Sequence, residues 1–115
     1  MIRATLNVGL AVDGSDEPLD AFDVLRKMFE LDIVRLHYDI CQSETEETLV
    51  VDCMIPTDQA VEYLALRCRQ DCIAVWDPET RKGRLVGPNA DAWGPFDPEQ
   101  FFLSNGSRLA DCRLV

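Results

Sequence analysis

Apolar and polar side chains alternate along the first twelve residues, and this alternation restricts most strongly how the chain can fold. Successive side chains of a β-strand point to opposite faces, so strict alternation predicts a strand with one buried face. We therefore predict a strand over residues 2–12. Its apolar positions are Ile2, Ala4, Leu6, Val8, Leu10 and Val12.

A first α-helix is predicted over residues 19–31, where apolar residues recur every three or four positions. Asp16 or Glu17 is expected near its start, and Pro18 suits the first turn because no amide hydrogen is needed there. The predicted apolar stripe consists of Phe22, Leu25, Met28 and Phe29.

A β-hairpin is predicted next, over residues 33–41 and 48–55, with residues 44–47 as a four-residue loop. This register places Tyr38 opposite Cys53 and Asp39 opposite Asp52. It keeps one set of apolar side chains on the core face. That set is Val34, Leu36, Tyr38, Ile40, Leu49, Val51, Cys53 and Ile55.

A second helix follows Pro56, with Thr57 as its N-cap, and strands are then predicted over residues 72–76 and 84–86. Its stripe consists of Val61, Leu64, Ala65 and Cys68. The order of elements predicts an α+β fold, a ferredoxin-like βαββαβ sandwich with an appended C-terminal β-hairpin and a short aromatic-rich segment. The 115 residues fit a single domain, 1–115, with residues 87–115 as a C-terminal extension packed on it.

The aromatic-rich segment, residues 87–102, has the sequence GPNADAWGPFDPEQFF. Asp97 can cap a short helix there, with Pro98 in the first turn. We expect Trp93, Phe96 and Phe101 to cover the sheet face that the two helices leave open, because so small a domain needs that area buried. A docking surface for a partner is the alternative.

The formal net charge of −10 is unevenly distributed. Residues 1–66 contain fourteen acidic and four basic side chains, whereas residues 67–115 contain seven of each. Direct nucleic-acid binding is disfavoured, because phosphates attract basic side chains. No apolar run approaches the roughly 20 residues that span a bilayer, so we expect a cytoplasmic protein without membrane contact.

The predicted topology gathers acidic residues at one end of the sheet, because the first and second strands run parallel and their following loops meet. We call this the acidic pole. A solvated surface is the simplest interpretation. The functional one is a small acidic non-enzymatic protein-binding module, an inhibitor or adaptor that engages a basic, nucleic-acid-binding partner protein. Phage and mobile elements often encode such inhibitors. Its predicted binding residues are Asp13, Asp16, Glu17, Asp20, Glu44, Glu46 and Glu47.

The alternative function uses the sheet face away from the helices, where His37, Asp39 and Asp52 are predicted to lie together. Such residues could bind a small molecule or transfer protons as catalytic groups of an enzymatic ferredoxin-like domain. Two carboxylates and one imidazole are few ligands for a metal ion, so we predict no metal and no cofactor. A homodimer joined through sheet faces or edges is a third possibility.

The five cysteines contain no C-x-x-C pair and form a poor zinc signature. Without an export signal, all five are predicted to be reduced thiols, mostly buried. The cysteines are Cys41, Cys53, Cys68, Cys72 and Cys112.

Overall fold

The computed structural model describes residues 1–12, 14–42, 47–93 and 113–114, in which an antiparallel β-sheet is combined with two α-helices. This confirms the predicted α+β class. The helices are α1 (Ala21–Glu30) and α2 (Asp58–Arg67), and a 3₁₀ helix spans Ala90–Trp93. The strands are β1 (Ile2–Gly9), β2 (Val34–Gln42), β3 (Glu47–Ile55), β4 (Ile73–Asp77), β5 (Lys82–Val86) and β6 (Arg113–Leu114).

The strands are arranged in the order β5-β4-β1-β3-β2-β6. Strand β1 pairs antiparallel with β3 on one side and with β4 on the other, and β2 pairs antiparallel with β3. Because β1 and β2 are both antiparallel to β3, they run in the same direction. Their C-terminal ends therefore lie at the same end of the sheet.

The core lies between one face of this sheet and both α-helices. Leu6, Val51 and Val75 occupy paired positions on three neighbouring strands, and all three side chains are fully buried. They belong to one cluster with Met28 of α1 and Leu64 of α2. No α-helix in the described part of the chain covers the opposite face, which we call the helix-free face.

Helix α1 begins later than predicted, and its N-cap is Asp20. The Asp20 carboxylate accepts a hydrogen bond of 3.0 Å from the backbone amide of Phe22. The amide of Leu19 instead donates to the carbonyl of Leu10 at 2.7 Å, so Leu19 belongs to the preceding loop. The expectation that the helix starts near Asp16 or Glu17 is therefore wrong.

The buried stripe of α1 is also rotated relative to the prediction. Phe22 and Phe29 are 59% and 81% exposed, whereas the two other members of the predicted stripe are buried. The residues one position before Phe22 and one position before Leu25 complete the inward face. The buried residues are Ala21, Val24, Leu25 and Met28.

Helix α2 agrees with the prediction at its cap and along its stripe. The Thr57 hydroxyl accepts a hydrogen bond from the amide of Ala60 at 3.3 Å, which satisfies one of the unpaired amides of the first turn. Val61, Leu64 and Ala65 are fully buried, as is Cys68 at the end of the helix.

A β-bulge in β2, between Arg35 and His37, makes the predicted hairpin register wrong. A bulge inserts an extra residue and so reverses which face the residues before it occupy. Val34 is paired with Met54 and is 48% exposed, and Leu36, in the bulge, is 54% exposed. Neither side chain joins the core.

Beyond the bulge, Tyr38 lies opposite Val51 and Ile40 opposite Leu49, and both side chains pack against the core. Asp39 therefore lies opposite Val50, and Asp52 lies opposite His37. The register avoids two directly opposed carboxylates, a pairing that is destabilising in a sheet.

Strand β1 ends at Gly9, earlier than predicted, although Leu10 and Val12 remain buried beyond it. Leu10 continues to follow β3, because its amide donates to the carbonyl of Glu47 at 3.0 Å. In the part of the chain that the structure describes, neither helix has the length and apolar character needed to cross a membrane.

Candidate functional site

Part of the acidic pole forms where the loop after β1 meets the start of β3. Asp16 and Glu17 of the loop and Glu47 of β3 line one shallow depression of about 270 Å³. The hydrogen bond between Leu10 and Glu47 fixes this approach. Two sequence-distant acidic segments are thus brought together, as the parallel run of β1 and β2 predicts.

Most acidic residues on the helices are neutralised within the protein. Asp23 receives hydrogen bonds from Lys27 and Arg26, which lower the pKa of its carboxyl, and it contacts both cations as ion pairs. Glu30 pairs with Arg26 at 3.0 Å and with Arg67 of α2 at 3.2 Å.

Asp58 is neutralised in the same way. It receives two hydrogen bonds from the guanidinium of Arg84 on β5, at 2.7 and 3.0 Å. This two-pronged geometry is the strongest form of an arginine–carboxylate pair.

Unlike those acidic residues of the helices, three residues of the acidic pole lack an ion pair with the described residues. The carboxylates of Asp16, Glu17 and Glu47 form no ion pair with any residue that the structure describes. All three residues are exposed. Their charge is therefore exposed to solvent and is not paired with a cation of the described residues.

The remaining predicted residues of the acidic pole divide into two groups. Asp20 has a structural role as the N-cap of α1, where a carboxylate also interacts favourably with the helix dipole. Asp13, Glu44 and Glu46 lie outside the described residues.

The helix-free face carries the alternative site. One row of paired positions across four strands contains Trp76, Thr5, Asp52 and His37. Asp39 lies on the same face, two residues beyond His37. The three residues of the alternative site thus share a face as predicted, although Asp39 and Asp52 are not opposite each other.

Asp52 is held by β1. The Thr5 hydroxyl donates a hydrogen bond of 2.7 Å to its Oδ1, and the guanidinium of Arg3 lies 3.8 Å from its Oδ2. These contacts already satisfy the carboxylate. A structural role in joining β1 to β3 accounts for them.

Asp39 is less well satisfied. Its Oδ2 lies 3.4 Å from Nε2 of His37, and the side chain is 14% exposed. Its Oδ1 is buried and has no hydrogen-bond partner among the residues that the structure describes. Buried carboxylate oxygens normally have a donor, so this atom distinguishes Asp39 from the neighbouring polar groups. Sequence alternation places Asp39 on this face but contains no signal of its burial.

The four cysteines that the structure describes offer no reactive thiol beside His37. Cys53 points into the core, where burial and the nearby Asp52 charge raise its pKa to about 12, and its Sγ donates to the carbonyl of Ala4 at 3.5 Å. Cys41 is bonded in a disulfide, which corrects the prediction that all five cysteines are reduced. Cys68 and Cys72 are buried free thiols, as is Cys53.

A metal centre is not assembled in the described part of the chain, where no three His, Cys, Asp or Glu side chains are arranged to hold an ion. The arrangement of His37 and Asp39 can accept and orient a hydrogen-bond donor. It can therefore bind a polar group that reaches the helix-free face.

Sequence patterns do not predict an aromatic cluster that forms between α1 and β2. The rings of Phe22 and Tyr38 meet edge to face with their centroids 6.5 Å apart, and the guanidinium of Arg35 lies 5.0 Å from the Tyr38 centroid. The bulge makes this contact possible by placing Arg35 on the helix side. The predicted cover residues Phe96 and Phe101, and the side chain of Trp93, lie outside the described part.

Comparisons of the chain with protein-family models, with curated proteins and with solved structures find no match.

Proposed function

We propose that this protein is a small non-enzymatic protein-binding module that engages a basic partner protein through its acidic pole. The proposal rests on the difference between acidic residues that form ion pairs within the protein and those of the acidic pole. Internal cations neutralise Asp23, Glu30 and Asp58, whereas Asp16, Glu17 and Glu47 have no ion pair with the described residues.

A concentrated negative surface acts mainly on the rate of association. It attracts an oppositely charged protein over about 10 Å at 0.1 M salt and orients it before contact. A nucleic-acid-binding protein presents a suitable basic surface, and occupying that surface would inhibit it. The inhibitor or adaptor role requires no catalytic group and no cofactor from this chain.

The scaffold that we propose for this role is the ferredoxin-like split β-α-β sandwich. The four inner strands in the order β4-β1-β3-β2, with both helices on one face, support this assignment. In such a scaffold, the loops that form the acidic pole leave parallel strands of one sheet. Their relative position is then set by backbone pairing, which preorganises the charges.

Two double variants test the role of the acidic pole. The first replaces Glu17 and Glu47 with lysine, and the matched control replaces Glu62 and Glu79, which are also exposed. Each variant changes the formal net charge from −10 to −6, because two side chains of charge −1 become +1. Asp20 is left unchanged because it caps α1.

The parent protein is first immobilised and used to capture proteins from the source cell. The captured protein is then purified, and its association rate with each variant is measured by stopped flow at low and high salt. We expect the Glu17→Lys/Glu47→Lys protein to associate about tenfold more slowly at low salt than the control, with a weaker salt dependence. Equal rates for the two variants would refute electrostatic steering by the pole.

A second candidate function is supported by the unpartnered oxygen of Asp39. A small molecule with an N–H or O–H donor could satisfy Oδ1 on the helix-free face, next to His37. The matched pair is Asp39→Asn and Asp52→Asn, because Asp52 already has partners in Thr5 and Arg3. A metabolite that raises the melting temperature of the parent and of Asp52→Asn, but not of Asp39→Asn, would favour this function.

A further inference from the structure

Helix α1 exposes two phenylalanines on one side. Phe22 is 59% exposed and Phe29 is 81% exposed. They are seven residues apart, which is close to two turns of an α-helix, so their side chains lie on the same side of α1. Single exposed apolar residues are common on protein surfaces, but two aromatic side chains aligned on one helix form an apolar strip.

Strand β2 extends this strip beside Phe22. The Phe22 ring meets Tyr38 edge to face, and the guanidinium of Arg35 lies 5.0 Å from the Tyr38 centroid. Arg35 forms no ion pair with the residues that the structure describes. Aromatic and arginine side chains are enriched at protein–protein interfaces. The surface formed by Phe22, Phe29, Arg35 and Tyr38, which we call the α1 flank, therefore has the composition of an interface.

Helix α1 lacks the negative charge of the rest of the molecule. Two acidic and two basic side chains cancel within it, and they form ion pairs with each other. They are Asp23, Arg26, Lys27 and Glu30. The formal net charge of −10 therefore lies entirely outside α1. Two copies of so acidic a protein repel each other, and association of the copies is least opposed where the local charge is balanced.

The two phenylalanines are self-complementary in an antiparallel pair of helices. A two-fold axis that crosses α1 between Leu25 and Arg26 places Phe22 of each copy against Phe29 of the other, because the two residues are equally far from that axis.

The exposed area is large enough for a small interface. With about 200 Å² for a fully exposed phenylalanine, the two exposed fractions amount to about 280 Å² in each copy and about 560 Å² in a pair of copies. Specific interfaces bury at least about 1,000 to 1,200 Å² in total. The four phenylalanines would therefore supply about half of that area, and the surrounding side chains of α1 and β2 would supply the rim.

We propose that the α1 flank joins two copies of this chain in a homodimer, with the two α1 helices antiparallel and Phe22 of each copy packed against Phe29 of the other. Asp16, Glu17 and Glu47 are not part of this flank. Each dimer therefore presents two acidic poles.

Sedimentation equilibrium of the full chain tests the proposal. An interface at the low end of the size range should have a micromolar Kd, so the weight-average mass should rise towards that of two chains between about 1 and 200 µM protein. Phe29→Ser should keep the mass of one chain, and its folding should be unaffected because the side chain is exposed. Leu66→Ser, at an apolar position of α2 that is 51% exposed, should associate as the parent does. A parent that stays monomeric, or a Phe29→Ser protein that dimerises like the parent, would overturn the proposal.

Two charged variants test the antiparallel pairing. Phe22→Lys and Phe29→Glu should each weaken the dimer by about tenfold or more. Their equimolar mixture should recover it, because opposite charges then meet at one contact while two phenylalanines still meet at the other. Circular dichroism checks that both variants are folded, and the Phe29→Ser result stands independently of Phe22→Lys. A mixture of folded variants that associates no better than either one alone would show that the pairing is wrong.

Salt separates this contact from the function proposed for the acidic pole. Raising the salt concentration from about 0.05 to 0.5 M should strengthen the dimer, because salt screens the repulsion between two copies of charge −10. Electrostatic steering of a basic partner weakens under the same change. The Glu17→Lys/Glu47→Lys protein should still dimerise. If salt or this double variant dissociates the dimer, the acidic poles and not the α1 flanks join the copies, and the proposal fails.

Discussion

Replacing Gly87 with alanine should destabilise the fold, because the backbone of another segment occupies the place of the new methyl group. Gly87 follows β5 and packs against the two residues that precede β4. A Cβ atom at this position would lie 2.5 Å from the carbonyl oxygen of Asp71 and 2.5 Å from the Cα of Cys72. Both neighbours are backbone atoms, so neither can move away by changing a rotamer.

The expected size follows from the shift that these distances require. Ordinary contacts to a Cβ begin near 3.4 Å, so the two segments must separate by about 1 Å, and overpacking of this kind costs about 1 to 3 kcal/mol. The carbonyl of Asp71 also accepts a 3.0 Å hydrogen bond from the amide of Asn89, and its loss would add about 1 kcal/mol. We therefore expect Gly87→Ala to lower the unfolding free energy by about 2 to 4 kcal/mol.

Urea denaturation followed by circular dichroism measures this difference. Gly14→Ala is the comparison, because Gly14 has a φ of +78° but open space around its Cα. That variant carries backbone strain without a clash, which costs about 1 to 2 kcal/mol. Alanine otherwise stabilises a protein by restricting the unfolded chain. A Gly87→Ala protein as stable as the parent would therefore refute the close approach.

The remaining four predictions concern a core residue, a helix cap, a carboxylate and a thiol. Leu64→Ala should lower the unfolding free energy in urea by about 2 to 5 kcal/mol, since the side chain is fully buried. Asp20→Ala should lower it by about 1 kcal/mol through loss of the α1 cap. The pKa of Asp77 is lowered by the backbone amides of Thr80 and Glu79, so its stabilising contribution is present above pH 3.8 and is lost as the pH falls through the lowered pKa. The urea midpoint of Asp77→Asn should accordingly fall less than that of the parent on acidification. Because burial raises the pKa of Cys53 to about 12, this thiol should react with iodoacetamide at pH 8 far more slowly in the folded than in the unfolded protein.

Each of these four predictions has a control variant or an outcome that would contradict it. Leu66→Ala, at an exposed position of the same helix, should change stability by less than about 0.5 kcal/mol. Asp20→Asn should keep most of the cap, because asparagine caps as well as aspartate does. Equal acid sensitivity of Asp77→Asn and the parent would contradict the role of that turn. Rapid alkylation of Cys53 in the folded protein would contradict its burial.

The elements that the sequence predicts correctly are those whose signals are local. Helix α2 has its cap at Thr57 and its stripe from Val61 to Ala65 within a few residues of each other. Helix α1 has several acidic candidates for a cap, and a tertiary contact between Leu19 and Leu10 selects Asp20. Periodicity alone cannot make that choice.

The candidate site was predictable to a similar extent. The meeting of the loop acids with Glu47 follows from two parallel strands, which the order of elements already implies. The ion pairs of the other acidic residues do not follow from the order of elements. Arg67 lies 37 residues from Glu30 in the chain, and Arg84 lies 26 residues from Asp58. Such pairs depend on how the helices and β5 are placed in space.

The bulge in β2 has a consequence for changes in chain length. The extra residue lets Val34 lie on the helix-free face while Tyr38, an even number of positions later, lies on the core face. Deleting Leu36 would leave Val34, Arg35 and His37 opposite their present partners, because these residues would then alternate regularly along the strand. We therefore expect this position to tolerate many substitutions, since its side chain is exposed, and also its own deletion. Deleting His37 instead should be damaging, because the residues on one side of the gap would have to exchange faces or partners.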